Sequence, residues 1–98
     1  MIVLIPYGVY SNQKLNFEPA NLKIVIGINN TVRWVNKDYT LHTISAVTSP
    51  TNASSFHSTP VFQGGSFEYT FTVPGTYEYY CPWHPGWMRG TVTVVQQN

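Results

Sequence analysis

Apolar and polar positions alternate with a period of two along most of the chain, which is the pattern of half-buried β-strands. Residues 2–5 (Ile-Val-Leu-Ile) form a first apolar run, closed by Pro6. Residues 9–17 are less regular, because Tyr10, Leu15 and Phe17 are interrupted by the turn-like Ser11-Asn12-Gln13. Leu22, Ile24, Ile26 and Ile28 then alternate with Lys23, Val25 and Gly27. Asn29-Asn30 turns the chain, and residues 31–36 alternate again with Val32 and Trp34 inward. After a second turn at Lys37-Asp38, residues 39–47 form a strand-like run carrying His42, whose side chain falls on the face of Thr40 and Ile44. Residues 48–65 differ in kind: they are rich in Ser, Thr, Pro and Asn and without period, which predicts a long loop with at most one short edge strand. From Ser66 the alternation returns in Phe67, Tyr69, Phe71 and Val73, and Pro74-Gly75 makes a turn. Tyr77, Tyr79 and Cys81 then share one face, with Glu78 and Tyr80 on the other. Residues 91–95 give the last strand before the polar tail Gln96-Gln97-Asn98.

No segment shows sustained helical spacing and there are no internal repeats. Seven or eight short strands separated by Gly/Pro turns predict an all-β fold, a Greek-key β-sandwich spanning residues 1–98 as one domain. A chain of 98 residues buries roughly two thirds of its unfolded surface. Only 9% of residues are charged, against about 25% in ordinary domains, but 43% are hydrophobic and 15% aromatic, so the chain has the means to form a core. A net charge of +1, without any run of like charges, excludes the electrostatic footprint of a nucleic-acid or anionic-membrane binder. The single cysteine excludes an internal disulfide, a four-cysteine zinc site and a two-cysteine redox pair. The apolar opening ends at Pro6, too soon for a secretory h-region or a membrane span. If the natural protein is exported, its leader or anchor has been removed and Met1 is an added start.

The chemistry is concentrated in one stretch, Cys81-Pro82-Trp83-His84-Pro85-Gly86-Trp87-Met88. Thiolate, imidazole and thioether are soft or borderline ligands and suit copper better than magnesium, calcium or an iron–carboxylate centre. Taken alone, the Cys-x2-His-x3-Met spacing is equally well read as a buried thiol, a loop histidine and a core methionine. His42 supplies the second imidazole that a trigonal set of two histidines and one cysteine needs. If its strand pairs beside the strand ending at Cys81, His42 reaches the loop while anchored in the sheet. A ligand set held in this way limits rearrangement between the geometries of Cu(I) and Cu(II), which is what electron transfer requires.

With these residues in view, the sequence resembles a cupredoxin. The resemblance is carried by Phe17-x-Pro19, the Gly27 turn, Val32-x-Trp34-x-Asn36 and His42-Thr43 in the first half. In the second half it is carried by Phe67-x-Tyr69-x-Phe71, Pro74-Gly75-x-Tyr77-x-Tyr79-x-Cys81, His84-Pro85, Met88-x-Gly90 and Val92-x-Val94. It is nearest to the small plastocyanin-, amicyanin- and halocyanin-like blue copper proteins, including archaeal ones. What the resemblance implies is one mononuclear type 1 copper per chain, with His42, Cys81 and His84 equatorial and Met88 a weak axial ligand. It also implies electron exit through the edge of His84, redox protein partners docking transiently on Pro82, Trp83, Pro85 and Trp87, and work outside the cytoplasm at the periplasm or the outer membrane face. Near-zero net charge favours docking through that apolar patch over electrostatic steering.

One departure bears on the axial position. Three residues, Pro85, Gly86 and Trp87, separate His84 from Met88, more than in amicyanins and fewer than in plastocyanins. Either Met88 ligates, or it turns into the core and leaves the axial position to water, the Leu41 carbonyl or a small molecule. The second case gives the alternative function, a cupredoxin that binds and redox-converts a small molecule such as nitric oxide. His57, in the polar loop, is read as an exposed loop histidine, with placement near an open axial face as the alternative. Glu18, Asp38, Glu68 and Glu78 are scattered and offer no acid–base pair. A Cys81–histidine nucleophilic dyad has no recognisable orienting group. A trinuclear copper cluster is excluded by Tyr80 and Pro82, which flank Cys81 where such clusters need histidines.

Overall fold

Among the described residues, seven strands form two sheets. In the computed structural model, which describes residues 1–12, 14–51, 53, 55–81 and 88–97, they are β1 (Ile2–Ile5), β2 (Asn21–Val25), β3 (Thr31–Asn36), β4 (Ser45–Thr48), β5 (Ser66–Thr70), β6 (Gly75–Tyr80) and β7 (Arg89–Val95). One sheet runs β1-β3-β5 and the other β2-β7-β6-β4. The pairs β1–β3 and β2–β7 are parallel, and β3–β5, β4–β6 and β6–β7 are antiparallel. Consecutive strands β1, β2 and β3 alternate between sheets, as do β4, β5 and β6, so the connections cross the sandwich. The chain is thus the all-β sandwich that the alternating pattern predicts.

The period of two places the core. Leu22 and Ile24 of β2, Val32 and Trp34 of β3, Tyr77 and Tyr79 of β6, and Val92 and Val94 of β7 are all buried between the sheets. Trp34 sits at the centre. Its ring stacks on Phe56 (5.7 Å between centroids) and meets Tyr79 edge-on (5.3 Å), while Phe17 packs against Tyr79 at 4.8 Å and Phe71 against Tyr77 at 4.8 Å. Offset and edge-to-face geometries of this kind add about 0.5–1.5 kcal/mol per pair beyond area burial. The Tyr77 hydroxyl donates to the Val73 carbonyl at 2.7 Å, which ties the start of β6 to the preceding corner as tyrosine corners do in other Greek-key sandwiches. Gly90 lies opposite Tyr79 in the β6–β7 register, and a Cβ there would come within 2.4 Å of the Tyr79 ring and hydroxyl, so the residue must be glycine for the ring to lie flat across β7.

Two local expectations differ from the structure, and the loop 48–65 adds a packing contact that its pattern does not show. The alternation through Ile28 stops short: β2 ends at Val25, Gly27 adopts φ 86°, and Ile28 closes a turn by donating to the Val25 carbonyl, which leaves it 65% exposed. The run 39–47 is a strand only from Ser45 onward, because the chain before it is drawn into side-chain hydrogen bonds around Asp38. Within the loop 48–65, Phe56 is buried against Trp34, and Val61 is buried as well. The flanking backbone is held accordingly, by Ala46 N–H to the Phe56 carbonyl and Ser58 N–H to the Ile44 carbonyl, both at 2.8 Å.

Tyr79 also carries a pH signature. Its hydroxyl is buried without a hydrogen-bond partner of good geometry among the described residues. Burial pushes its pKa from 10.0 up to about 12, with the nearby Trp34 indole opposing weakly. The unfolded chain ionises first, so this stabilisation is complete below pH 10 and is lost as pH rises toward 12. Unfolding by urea at pH 9 and pH 12 should show roughly 2–3 kcal/mol more loss in the wild-type chain than in Tyr79→Phe. Equal losses in the two proteins would contradict the assignment.

Candidate metal centre

The β4–β6 ladder brings two far-separated candidate ligands together. Ser45 pairs with Tyr80, so the segment before β4 runs beside the end of β6, where Cys81 follows. His42 and Cys81, 39 residues apart, meet with Nδ1 and Sγ 3.4 Å from each other. Both are fully buried (0% and 1% exposed), and Cys81 forms no disulfide. A buried imidazole nitrogen against a buried cysteine sulfur is a donor pair suited to copper or zinc rather than to hard cations. The expectation that His42 lies beside the Cys81 strand is met, with Ile44 buried on the same face and Thr40 half-buried.

His42 is fixed from three sides. Its backbone bridges Val61, accepting at 2.8 Å and donating at 3.2 Å. Its Nε2 lies 2.7 Å from Asp38 Oδ2 and 3.2 Å from the Thr40 hydroxyl. Asp38 is buried, and burial works against its charge. Hydrogen bonds from His42 and from the Gly8 and Tyr39 N–H groups outweigh that penalty and hold the carboxyl below its ordinary value. Asn36 organises the turn that carries both residues. Its Nδ2 donates to the Thr40 and Val61 carbonyls (2.9 and 2.8 Å), and its Oδ1 accepts from Asp38 N–H at 2.8 Å.

On the other side of the loop, Met88 is buried at the start of β7, and its carbonyl accepts the Cys81 N–H at 3.4 Å. Met88 therefore closes the Cys81 loop at its base, and its side chain belongs to the hydrophobic cluster that includes Cys81. His84 and the surrounding Pro82, Trp83, Pro85 and Trp87 lie outside the described residues. Among the described residues His42 and Cys81 are brought together, and no third His, Cys, Asp or Glu completes a ligand group with them. His57 is exposed and bridges Ser45 at the edge of β4, as the plain reading of a loop histidine expects.

Asp38 and Asn36 are the residues that pattern reading left without a function. Asp38 reads as a turn residue, yet it sits four positions before His42 and is buried beside it. The i,i+4 Asp-x3-His spacing was the available signal, in a chain where only four acidic residues occur.

A family model described as copper binding proteins, plastocyanin/azurin family, matches residues 5–95. Amicyanin of Paracoccus denitrificans is 31% identical over 81 residues, covering 83% of this chain and 60% of amicyanin; the chain thus spans about three fifths of that relative's length. Among solved structures, a purple cupredoxin from Nitrosopumilus maritimus superposes with a TM-score of 0.80 at 37% identity, covering 96% of this chain and 98% of that one. A reduced Cu(I) form of an amicyanin variant superposes with a TM-score of 0.76 at 28% identity, covering 97% of this chain and 81% of that one.

The Asn36 side chain bonds three backbone groups at once, so removing it strands the Thr40 carbonyl and the Asp38 N–H and leaves the Val61 carbonyl with the His42 N–H alone. Asn36→Ala should lower the urea unfolding free energy by roughly 2–4 kcal/mol. A change below about 0.5 kcal/mol would show that these three bonds do not hold the turn.

Proposed function

Because the chain belongs to the plastocyanin/azurin family of copper binding proteins, with copper as its cofactor, we propose that it is a carrier of single electrons between redox partners. His42, Cys81 and His84 would hold the metal in this reading, with Met88 as the weak axial ligand. The observation that carries it is the buried approach of His42 Nδ1 to Cys81 Sγ at 3.4 Å. When bound, copper supplies a one-electron Cu(II)/Cu(I) couple.

The chain's own residues account for the rest of the task. Cys81 stands at the end of β6 and His42 three residues before β4, so the hydrogen-bonded ladder between these strands would hold the spacing of the two donors. The apolar surroundings, with Ile44, Met88 and Tyr79 all buried, keep water away from the sulfur. Low water access and restricted donors both reduce the reorganisation that accompanies electron transfer. Pro82, Trp83, Pro85 and Trp87 make the loop around His84 apolar in sequence, and we assign the docking of redox proteins to it. The family places such carriers outside the cytoplasm, and we extend that to this chain; among the described residues no helix is long and apolar enough to cross a membrane.

A second reading has its own support. The His84–Met88 spacing departs from both plastocyanins and amicyanins, and the structural neighbour at 37% identity is described as purple. An axial position left open, with Met88 turned into the core, would admit a small molecule such as nitric oxide for redox conversion.

The visible spectrum of the Cu(II)-loaded protein, repeated with azide, separates these readings. An intense charge-transfer band unchanged by azide is the expected result, and the same band should vanish in Cys81→Ser. A band that azide shifts would give first place to the open site. An absent band in the wild-type protein would remove Cys81 as a ligand and the electron-carrier reading with it.

A further inference from the structure

We infer that Asp38 is a positioning residue for the metal site: its buried carboxylate selects the tautomer of His42 and aims Nδ1 at Cys81. The carboxylate stands at the centre of five donors. Oδ1 accepts from the Gly8 and Tyr39 N–H groups at 2.8 and 2.9 Å. Oδ2 accepts from the Tyr10 N–H and the Thr40 hydroxyl, both at 3.2 Å, and faces His42 Nε2 at 2.7 Å.

That last contact decides where the proton of neutral His42 sits. A deprotonated Nε2 would put a lone pair 2.7 Å from a carboxylate oxygen, so Nε2 carries hydrogen and donates it. Neutral imidazole then has its free lone pair on Nδ1, the nitrogen that faces Cys81 Sγ. The ring is ready to ligate before any metal arrives. The pairing of a carboxylate with the far nitrogen of a ligating histidine also raises the imidazole's basicity. A more basic imidazole next to a fixed negative charge favours Cu(II) over Cu(I).

The donors to Asp38 come from two separate parts of the chain. Tyr39, Thr40 and His42 belong to the segment before β4, whereas Gly8 and Tyr10 follow β1, thirty and twenty-eight residues upstream. Gly8 presents its N–H from a left-handed conformation, φ 87°. The turn after β1 is therefore part of the support of His42, and its fit against Asp38 bears on the metal site although no ligand lies in it.

This inference rests on His42 as a copper ligand, and two measurements keep its failure distinct from failure of that reading. The first is the reduction potential of copper-loaded wild type against Asp38→Asn. Asparagine keeps the shape and an acceptor oxygen but loses the charge and presents an N–H2 to a ring of donors. The account expects about a tenfold loss in the preference for Cu(II) over Cu(I), an upward shift of about 59 mV for one electron, with the charge-transfer band retained. An unchanged potential in a variant that keeps its band would overturn it. The second is nitrogen NMR of His42 in the unmodified full chain, without metal and as Cu(I), which decides the matter even if Asp38→Asn fails to fold or copper fails to bind. A proton on Nε2 in slow exchange with water supports the inference, and an Nε2 without a proton in the metal-free chain overturns it.

Discussion

Ser45 pairs with Tyr80 across the β4–β6 ladder, and through that register the segment carrying His42 is laid against the end of the strand that delivers Cys81. The two residues are 39 positions apart, and no local interaction would bring them together. The ladder itself stands on the aromatic centre of the sandwich, where Trp34 from one sheet meets Tyr79 from the other and Phe56 from the loop beyond β4. The site is thus a consequence of how the sheets pack.

Among the described residues the buried polar side chains are Asn36, Asp38, His42 and Thr43. Burying such groups is costly unless each donor finds an acceptor. Asn36 and Asp38 meet that condition with three and five bonds respectively. Their satisfaction is what makes the turn between β3 and β4 a rigid support instead of a mobile connection. The exposed pair Arg33–Glu68, across β3 and β5, is by comparison a surface contact of small energetic weight.

The strands were largely legible in the sequence because a period of two needs only an inside and an outside, and Val32, Trp34, Tyr77, Tyr79, Val92 and Val94 supply the inside without ambiguity. His42, Cys81 and Met88 stood out in the sequence as candidate ligands, since few residue types ligate soft metals. What pattern reading missed depends on contacts that periodicity does not encode. Phe56 is one apolar residue in a polar loop, and only tertiary packing reveals it as a centre of the core. Asp38 looks like any turn aspartate until the fold brings Gly8 and Tyr10 to it. Ile28 follows the alternation but lies beyond a glycine whose left-handed backbone had already ended the strand.

The central claim is that His42 and Cys81 bind one copper together with the loop histidine. X-ray absorption of the copper-loaded protein tests it most directly, because it reports the atoms bonded to the metal whatever the colour or activity. The account predicts a single short sulfur scatterer and two nitrogen scatterers with the outer-shell pattern of imidazole, reduced to one imidazole in His42→Gly. A first shell of nitrogen and oxygen only, or one unchanged in His42→Gly, would contradict it.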